Sequence, residues 1–501
     1  MTIEQKIAGI ALVVMFLFIG LLKLLPRLVF SGASPVGALF RYLKYLWNRR
    51  RNRDGIWLHR EWISDQARLR HTHIVGSTGT GKSVLMEHLI ARDIERGLGM
   101  IIIDPKGDRE LYNRVKDAAL RSGRPNDLIL LSAERPHQSA VWNPCGFGDV
   151  SQLQTKFYNA CTYAEPHYAK AVELGLLSIF QTLAESFAEG FGLKEVVDEL
   201  NRRRQENKNN AMDGLYLDLQ SIYQSEWGTI LNPKEESIID GKEISIVDVI
   251  KNGKILFIDL PTESKAIQSR RLGRLILSEI VNISGFFKTN PNEKPKAPFS
   301  VYVDEFDAFA TEGFSTFLNK GRSSNFMIHM AHQTLSDLRE VSDTFMGKIM
   351  GNVNVRFIFR QDDPDDAEVW SRLFGTKEIE ISTHRVEDGA KTGDASLRTG
   401  QQFLVSPNII KSLGVGRCLF SIKGDKVLKQ LKIPPPNNHI SNIRDEERTL
   451  DLSRFRRSFR LESLPSKTRS RNIASARFDG IGAKISKMEK TKDEQSSRAK
   501  T

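Results

Sequence analysis

The stretch that most constrains the fold is Gly76-Ser77-Thr78-Gly79-Thr80-Gly81-Lys82-Ser83, which fills every fixed position of the phosphate-loop pattern G-x-x-x-x-G-K-[ST]. Such a loop works only between a strand and a helix, and both flanks agree. Thr72-His73-Ile74-Val75 is short, β-branched and mostly apolar, as a buried strand is. From Val84 to Arg96, Leu85/Leu89 and Met86/Ile90/Ile94 recur at helical spacing and cover one face. The glycines let the backbone curl so that successive N–H groups point at a phosphate, and the helix N-terminus adds its positive end. Lys82 then reaches the β- and γ-phosphates and the Ser83 hydroxyl ligates a metal ion. The expected ligands are ATP and Mg2+.

A hydrolytic site also needs carboxylates, and these come from far downstream. Phe299-Ser300-Val301-Tyr302-Val303 reads as a strand leading into Asp304-Glu305, the pattern of a Walker B segment. Asp304 is expected to hold Mg2+, through water or through Ser83, and Glu305 to polarise the attacking water. A carboxylate pair after a strand is common in isolation; a well-formed phosphate loop upstream gives this one its meaning.

The segments between supply the rest of a sheet. Met100 to Asp104 is a buried strand ending in the turn Pro105-Lys106-Gly107-Asp108. Ligands of open α/β sheets sit at the carboxyl ends of strands. Asp104, Lys106 and Asp108 therefore belong near the nucleotide or a subunit boundary, unless Asp108 simply caps the next helix. Leu128 to Leu131 is another strand, and Trp142-Asn143-Pro144 closes this block. From Ser151 to Trp227 strand signals vanish and helical periodicity replaces them, with a wholly polar tip at Asn201 to Asn210. The arginines Arg202 to Arg204 read there as a solvated helix end.

The sheet resumes with Ile255 to Asp259, and a helix runs from Ser264 to Phe287. Phe326 to Ala331 is a strand whose tip carries Gln333, an amide suited to sensing a γ-phosphate. Val353 to Phe359 precedes Arg360, which could reach into a neighbouring subunit's site or pair with Asp362 and Asp363 nearby. Lys320 and Arg322 are alternatives for the same task. Thr383 to Gly400, polar and glycine-containing, reads as a long loop. Cys418 to Ile422 and Val427 to Ile433 form a hairpin, and Pro434-Pro435-Pro436 ends the folded body.

At the N-terminus, Ile7 to Leu25 is apolar apart from Lys23 and would make a helix about 28 Å long, close to the hydrocarbon thickness of a bilayer. A cleavable signal peptide is excluded on chemical grounds, since export would part the phosphate loop from ATP. A second apolar piece, Leu28 to Phe40, contains Pro35. The basic cluster Arg41, Lys44, Arg49, Arg50, Arg51 and Arg53 places the chain beyond it in the cytoplasm. The chain has 501 residues with a formal charge of +12, which favours an anionic partner such as nucleic acid or an acidic membrane face. Three scattered cysteines exclude a disulfide framework and a zinc site.

This order of parts resembles the coupling proteins of type IV secretion and bacterial conjugation, the TraD/TraG family. The resemblance rests on the N-terminal anchor, Gly76 to Ser83, Ile103-Asp104-Pro105-Lys106-Gly107-Asp108, the helical insertion, Val303-Asp304-Glu305, Lys320-Gly321-Arg322 and Gln333. It implies a RecA-like P-loop NTPase domain over 49–150 and 228–436, with an all-α inserted domain over 151–227. It also implies an N-terminal transmembrane anchor over 1–48 and leaves a basic tail over 437–501. By the same resemblance Lys82 and Ser83 form the Walker A pair, Asp304 and Glu305 the Walker B pair, Gln333 the third motif, and Arg360 an inter-subunit arginine.

The implied activity is ATP-driven delivery of DNA, with its relaxase, to a secretion channel by a hexamer in the bacterial inner membrane. The implied partners are non-specific single-stranded DNA, the relaxosome and inner-membrane secretion components. The sequence departs from the family in its second membrane span, which is unclear. Two other readings remain open at this point: a receptor recruiting protein effectors without moving DNA, and a chromosome translocase of the septal type.

Overall fold

The computed structural model describes residues 54–435 apart from 59–60, 108, 162, 164, 207–211, 234–240, 388–389 and 426. The two apolar N-terminal segments, the basic cluster, Asp108, the basic tail and part of the polar tip lie outside the described residues. No helix among the described residues is long and apolar enough to cross a membrane. The chain divides into two units, residues 1–64 and 65–501. In the first, strands β1 (Gly55–Leu58) and β2 (Glu61–Ser64) form an antiparallel hairpin with Trp57 opposite Trp62.

The second unit is built on strands whose sequences are almost continuously apolar. These are β3 (Thr72–Val75), β4 (Met100–Asp104), β5 (Leu128–Ser132), β8 (Ile255–Asp259), β9 (Phe299–Val303), β10 (Phe326–His332) and β11 (Val355–Ile358), each buried at every position. Between β5 and β8 lies a two-residue pair, β6 (Val141–Trp142) with β7 (Glu243–Ile244). Unbroken apolar runs are the mark of parallel strands covered on both faces. The sheet order is β5-β8-β4-β9-β10-β3-β11, all parallel. Two antiparallel strands, β14 (Arg417–Ile422) and β15 (Val427–Lys432), complete it at the β11 edge.

This order positions the site. Helix α1 (Lys82–Glu95) comes after the loop that leaves β3, and α2 (Arg109–Arg121) after the turn that leaves β4. Strand β10 lies between β3 and β9, so the loop strand and the carboxylate strand are about 10 Å apart at two strand spacings. Register sets their ends level: His332 pairs with Val75, Met330 with Val303, and Ile103 with Val303. The residues just beyond these strands therefore emerge side by side.

Between 150 and 231 the described elements are helical: α3 (Val150–Ala160), α4 (Pro166–Ser186), α5 (Leu193–Glu206), α6 (Asp213–Tyr223) and a last turn, Gly228–Leu231. Their buried side chains share a core with the sheet. Phe157, Leu176, Phe180, Leu219 and Trp227 belong to the same buried cluster as Ile101, Ile129 and Ile258 of the sheet. The joint is helix α7 (Ala266–Thr289), whose buried Glu279 takes an ion pair from buried Lys156 of α3. Arg202 and Arg203 pair with Glu199, and Arg204 pairs with Asp213 at 2.8 Å, so these arginines are spent within the helical lobe.

One expectation is corrected. Thr383 to Gly400 is not a loop but most of a long antiparallel hairpin, β12 (Thr376–Glu387) and β13 (Ala390–Phe403), with a register shift between His384 and Val386. Among the described residues its strands pair with each other and with no other strand. The stretch from 383 to 400 is polar and glycine-containing, with few apolar residues to alternate, so the usual strand signal is weak there.

Candidate functional site

The phosphate loop is held from behind. Ser77 N donates to Arg360 O at 2.9 Å, Thr80 Oγ1 to Ser77 O at 2.7 Å, and Gly416 N to Thr80 O at 2.9 Å. Gly79 and Gly81 have φ of 73° and 114°, the left-handed region where glycine is favoured. Gly76 is required for a different reason: a Cβ there would stand 2.5 Å from Phe359 Cβ. The other residues expected to line the loop, Ser77, Thr78, Thr80, Lys82 and Ser83, run from the end of β3 into the first turn of α1. Lys82 turns its Nζ back onto the Gly76 and Ser77 carbonyls, spanning the concavity where a phosphate would lie. Burial lowers its pKa; Asp304 opposes this and Lys106 adds to it.

The distant carboxylates meet the loop. Ser83 Oγ donates to Asp304 Oδ2 at 3.1 Å across 221 residues of sequence. Asp304 Oδ1 accepts from Glu305 N at 3.0 Å, so the carboxylate is aimed by its own turn. Glu305 has φ 42° and ψ 50°, a left-handed backbone that is costly for a residue with a Cβ. Its half-buried carboxyl has a raised pKa, first because of burial and then because of Asp304. A strained, half-buried carboxyl with a raised pKa is equipped to hold and polarise a water.

Lys106 joins the same cluster. Its Nζ donates to Ser83 Oγ at 2.7 Å and to Asp304 Oδ2 at 3.0 Å. Burial works against its charge, but Asp304, Glu305 and Asp104 outweigh that and raise its pKa. Asp104, buried at the end of β4, has its pKa pushed up to about 7 by burial, with Asp259 and Asp304 adding to the effect. Gln333 accepts from Thr78 Oγ1 at 2.9 Å, which ties the tip of β10 to the loop. Arg360 forms an ion pair with Asp362 of its own chain at 3.0 Å. Arg322 and Lys320 are in the segment that leads to β10.

Sequence reasoning missed two features of the support. Beneath α1, buried Arg68 donates to Asp93 at 2.8 Å, and Ser300 and Tyr302 of β9 each donate to Asp93 Oδ2 at 2.7 Å. Burial alone would raise the Asp93 pKa, but the Arg68 guanidinium holds it well below the carboxylate range. This network locks the loop helix to the carboxylate strand. Behind Gln333, His332 stacks on His73 and is hydrogen-bonded to it, with His332 Nδ1 donating to Thr334 O at 2.8 Å. Burial lowers the pKa of both rings. A polar residue inside an apolar strand run was the available signal for Ser300, Tyr302, His73 and His332.

The fold and site define the P-loop NTPase class in which one strand separates the phosphate loop from the carboxylate pair. More narrowly, the chain resembles the coupling proteins of type IV secretion. Residues 298–414 match the family model for the TraM recognition site of TraD and TraG, and residues 65–140 match that for the central domain of the HerA helicase. The type 4 coupling protein DotL of Legionella pneumophila strain Philadelphia 1 is 22% identical over 488 residues, covering 77% of this chain. This chain spans 62% of the length of that relative. Among solved structures, the conjugative coupling protein TrwBΔN70 aligns with TM-score 0.58 at 19% identity, over 76% of this chain and 88% of its own. TrwB with ADP and Mg2+ aligns at 0.56 and 17%, over 77% and 89%. These likenesses establish the fold.

Proposed function

We propose that this chain is the ATP-hydrolysing coupling protein of a type IV secretion system, anchored in the inner membrane, and that it moves DNA with a bound relaxase to the channel. The observation that carries the reading is the 3.1 Å contact between Ser83 and Asp304, which joins the phosphate loop to the carboxylate pair in one cleft. TrwB has been crystallised with ADP and Mg2+ and with a non-hydrolysable ATP analogue, and its fold is the one described above. The anchor assigned to Ile7–Leu25 and the +12 charge support the membrane and DNA parts of the reading.

The residues present fit ATP and Mg2+. Ser83 and Asp304 offer the oxygen donors a hard divalent cation takes, and a lysine ammonium stands beside both, so the spot favours positive charge. Ser83 and Asp304 would hold Mg2+, which would supply positive charge to offset that of the phosphates. Lys82 would release the Gly76 and Ser77 carbonyls and turn to the phosphates. Glu305 would hold the attacking water in line and take its proton, and Gln333 would report the γ-phosphate through Thr78. Arg360 would leave Asp362 to reach a neighbouring subunit's nucleotide in a hexamer.

ATP turnover by the detergent-solubilised chain, with and without single-stranded DNA, tests this. Stimulation that weakens with salt is the expected result. Turnover indifferent to DNA would replace the translocase reading with that of a receptor for protein effectors. Lys82→Ala should abolish turnover while circular dichroism and thermal unfolding stay near wild type. Turnover persisting in that variant would remove the loop from the mechanism.

A further inference from the structure

The turn Pro105-Lys106-Gly107 has a rigid backbone and one movable side chain. Leu260 N donates to Asp104 O at 2.8 Å and Thr262 N to Pro105 O at 2.7 Å, which ties the turn to the end of β8. Lys106 N donates to Asp104 Oδ1 at 3.2 Å. Gly107 has φ 66°, and a Cβ there would come within 3.0 Å of Pro261. The Lys106 side chain, by contrast, is 40% exposed and reaches the cleft on a flexible four-carbon stem.

Its ammonium closes a triangle with Ser83 Oγ and Asp304 Oδ2, at 2.7 Å and 3.0 Å, the two oxygens being 3.1 Å apart. These are the oxygens a phosphate-loop site presents to its divalent cation. Asp304 is buried near the strand ends that carry Asp104 and Asp259; Asp259 has its own cation in Arg135 at 3.1 Å, so the buried carboxylate left for Lys106 to neutralise, at 3.0 Å, is Asp304. With no nucleotide bound, Lys106 supplies that charge from the chain itself.

We propose that Lys106 is the resident counter-cation of the nucleotide-free cleft: it occupies the metal position between Ser83 and Asp304 and yields it only to a metal-bound nucleotide. The inference rests on reading the cleft as a nucleotide site. Charge alone then has two effects. Free divalent ions are kept out of the empty cleft, because two cations cannot share one carboxylate oxygen at this distance. A nucleotide lacking its metal still meets a positive charge at that position, where otherwise Asp304 would repel the phosphates.

The test uses the detergent-solubilised full chain, with Lys106→Ala and Lys106→Arg, and two probes. Electron paramagnetic resonance measures Mn2+ binding without nucleotide, and a fluorescent ADP analogue measures nucleotide affinity in Mg2+ and in EDTA. Lys106→Ala should bind Mn2+ about tenfold tighter than wild type, and its ADP affinity should fall about tenfold further in EDTA than in Mg2+. Lys106→Arg, which keeps the charge, should return both quantities toward wild type. Equal Mn2+ affinity in all three proteins, or a parallel loss in Mg2+ and EDTA, would overturn the assignment and leave Lys106 an ordinary ion pair. Failure of wild type to bind the ADP analogue in Mg2+ would instead sink the nucleotide reading, and the Mn2+ measurement would still decide the role of Lys106.

Discussion

Glu305 carries two costs at once, a left-handed backbone and a half-buried acid with a raised pKa. They separate by substitution. Glu305→Gln keeps the shape, so it should bind nucleotide normally and turn over at least about a hundredfold more slowly. Glu305→Gly relieves backbone strain on the order of 1 kcal/mol, offset in part by the unfolded-state entropy of glycine. It should be inactive yet melt no lower than wild type. A large drop in melting temperature would mean the conformation is not strained.

Asp104 gives a pH-dependent case. Its folded pKa of about 7 lies above the ordinary 3.8, so the unfolded chain releases this proton first as pH rises. The native state therefore loses stability from about pH 4 to pH 7 and no more beyond. Asp104→Asn escapes that loss while keeping the oxygen that accepts from Lys106 N. Its stability relative to wild type should climb by on the order of 4 kcal/mol across that window and then level off. A flat difference in denaturation midpoints from pH 4 to pH 8 would show that Asp104 ionises normally. The phosphate loop and the Asp304-Glu305 pair were legible from sequence because each is a local pattern of backbone freedom and charge. Lys106 was only placed near the nucleotide, since its partners lie 23 and 198 residues away.

Between elements, the sharpest junction is the Lys156–Glu279 pair, buried on both sides, where the helical lobe meets α7. Burial raises the Glu279 pKa and Lys156 holds it down. Lys156→Met removes the partner and strands a buried carboxyl, at a cost of about 3–5 kcal/mol. Lys156→Met with Glu279→Leu removes both charges and should recover at least about 2 kcal/mol of that, read from urea midpoints. Equal destabilisation by the single and double variants would show that packing, not charge, holds the junction. Helical periodicity announced these helices, from Pro166–Ser186 to Asp213–Tyr223, but not that their apolar faces continue the core of the sheet. The hairpin β12–β13 went unread because its stretch from 383 to 400 is polar and glycine-containing, with few apolar residues to alternate.

At the scale of the whole molecule, Arg360 is the residue whose role depends on a second subunit. In a single chain it pairs with Asp362 at 3.0 Å, half-exposed beside the loop it supports through its carbonyl. An arginine acting across a boundary makes each site depend on its neighbour. Mixing Arg360→Ala chains into wild type should therefore depress ATP turnover faster than the fraction added. A loss strictly proportional to that fraction would place Arg360 in its own chain's chemistry or in none.

The sequence by itself determined that the chain carries a phosphate loop between a strand and a helix, a carboxylate pair after a second apolar strand, and a helical stretch between them. Those are short-range properties, written in residues that touch or nearly touch along the chain. Only the tertiary structure decided that β10 would lie between β3 and β9, that Gln333 would meet Thr78, and that Lys106 would stand between Ser83 and Asp304. Strand order and register come from closing loops of up to about two hundred residues against a shared core, and no local pattern encodes where such closures end.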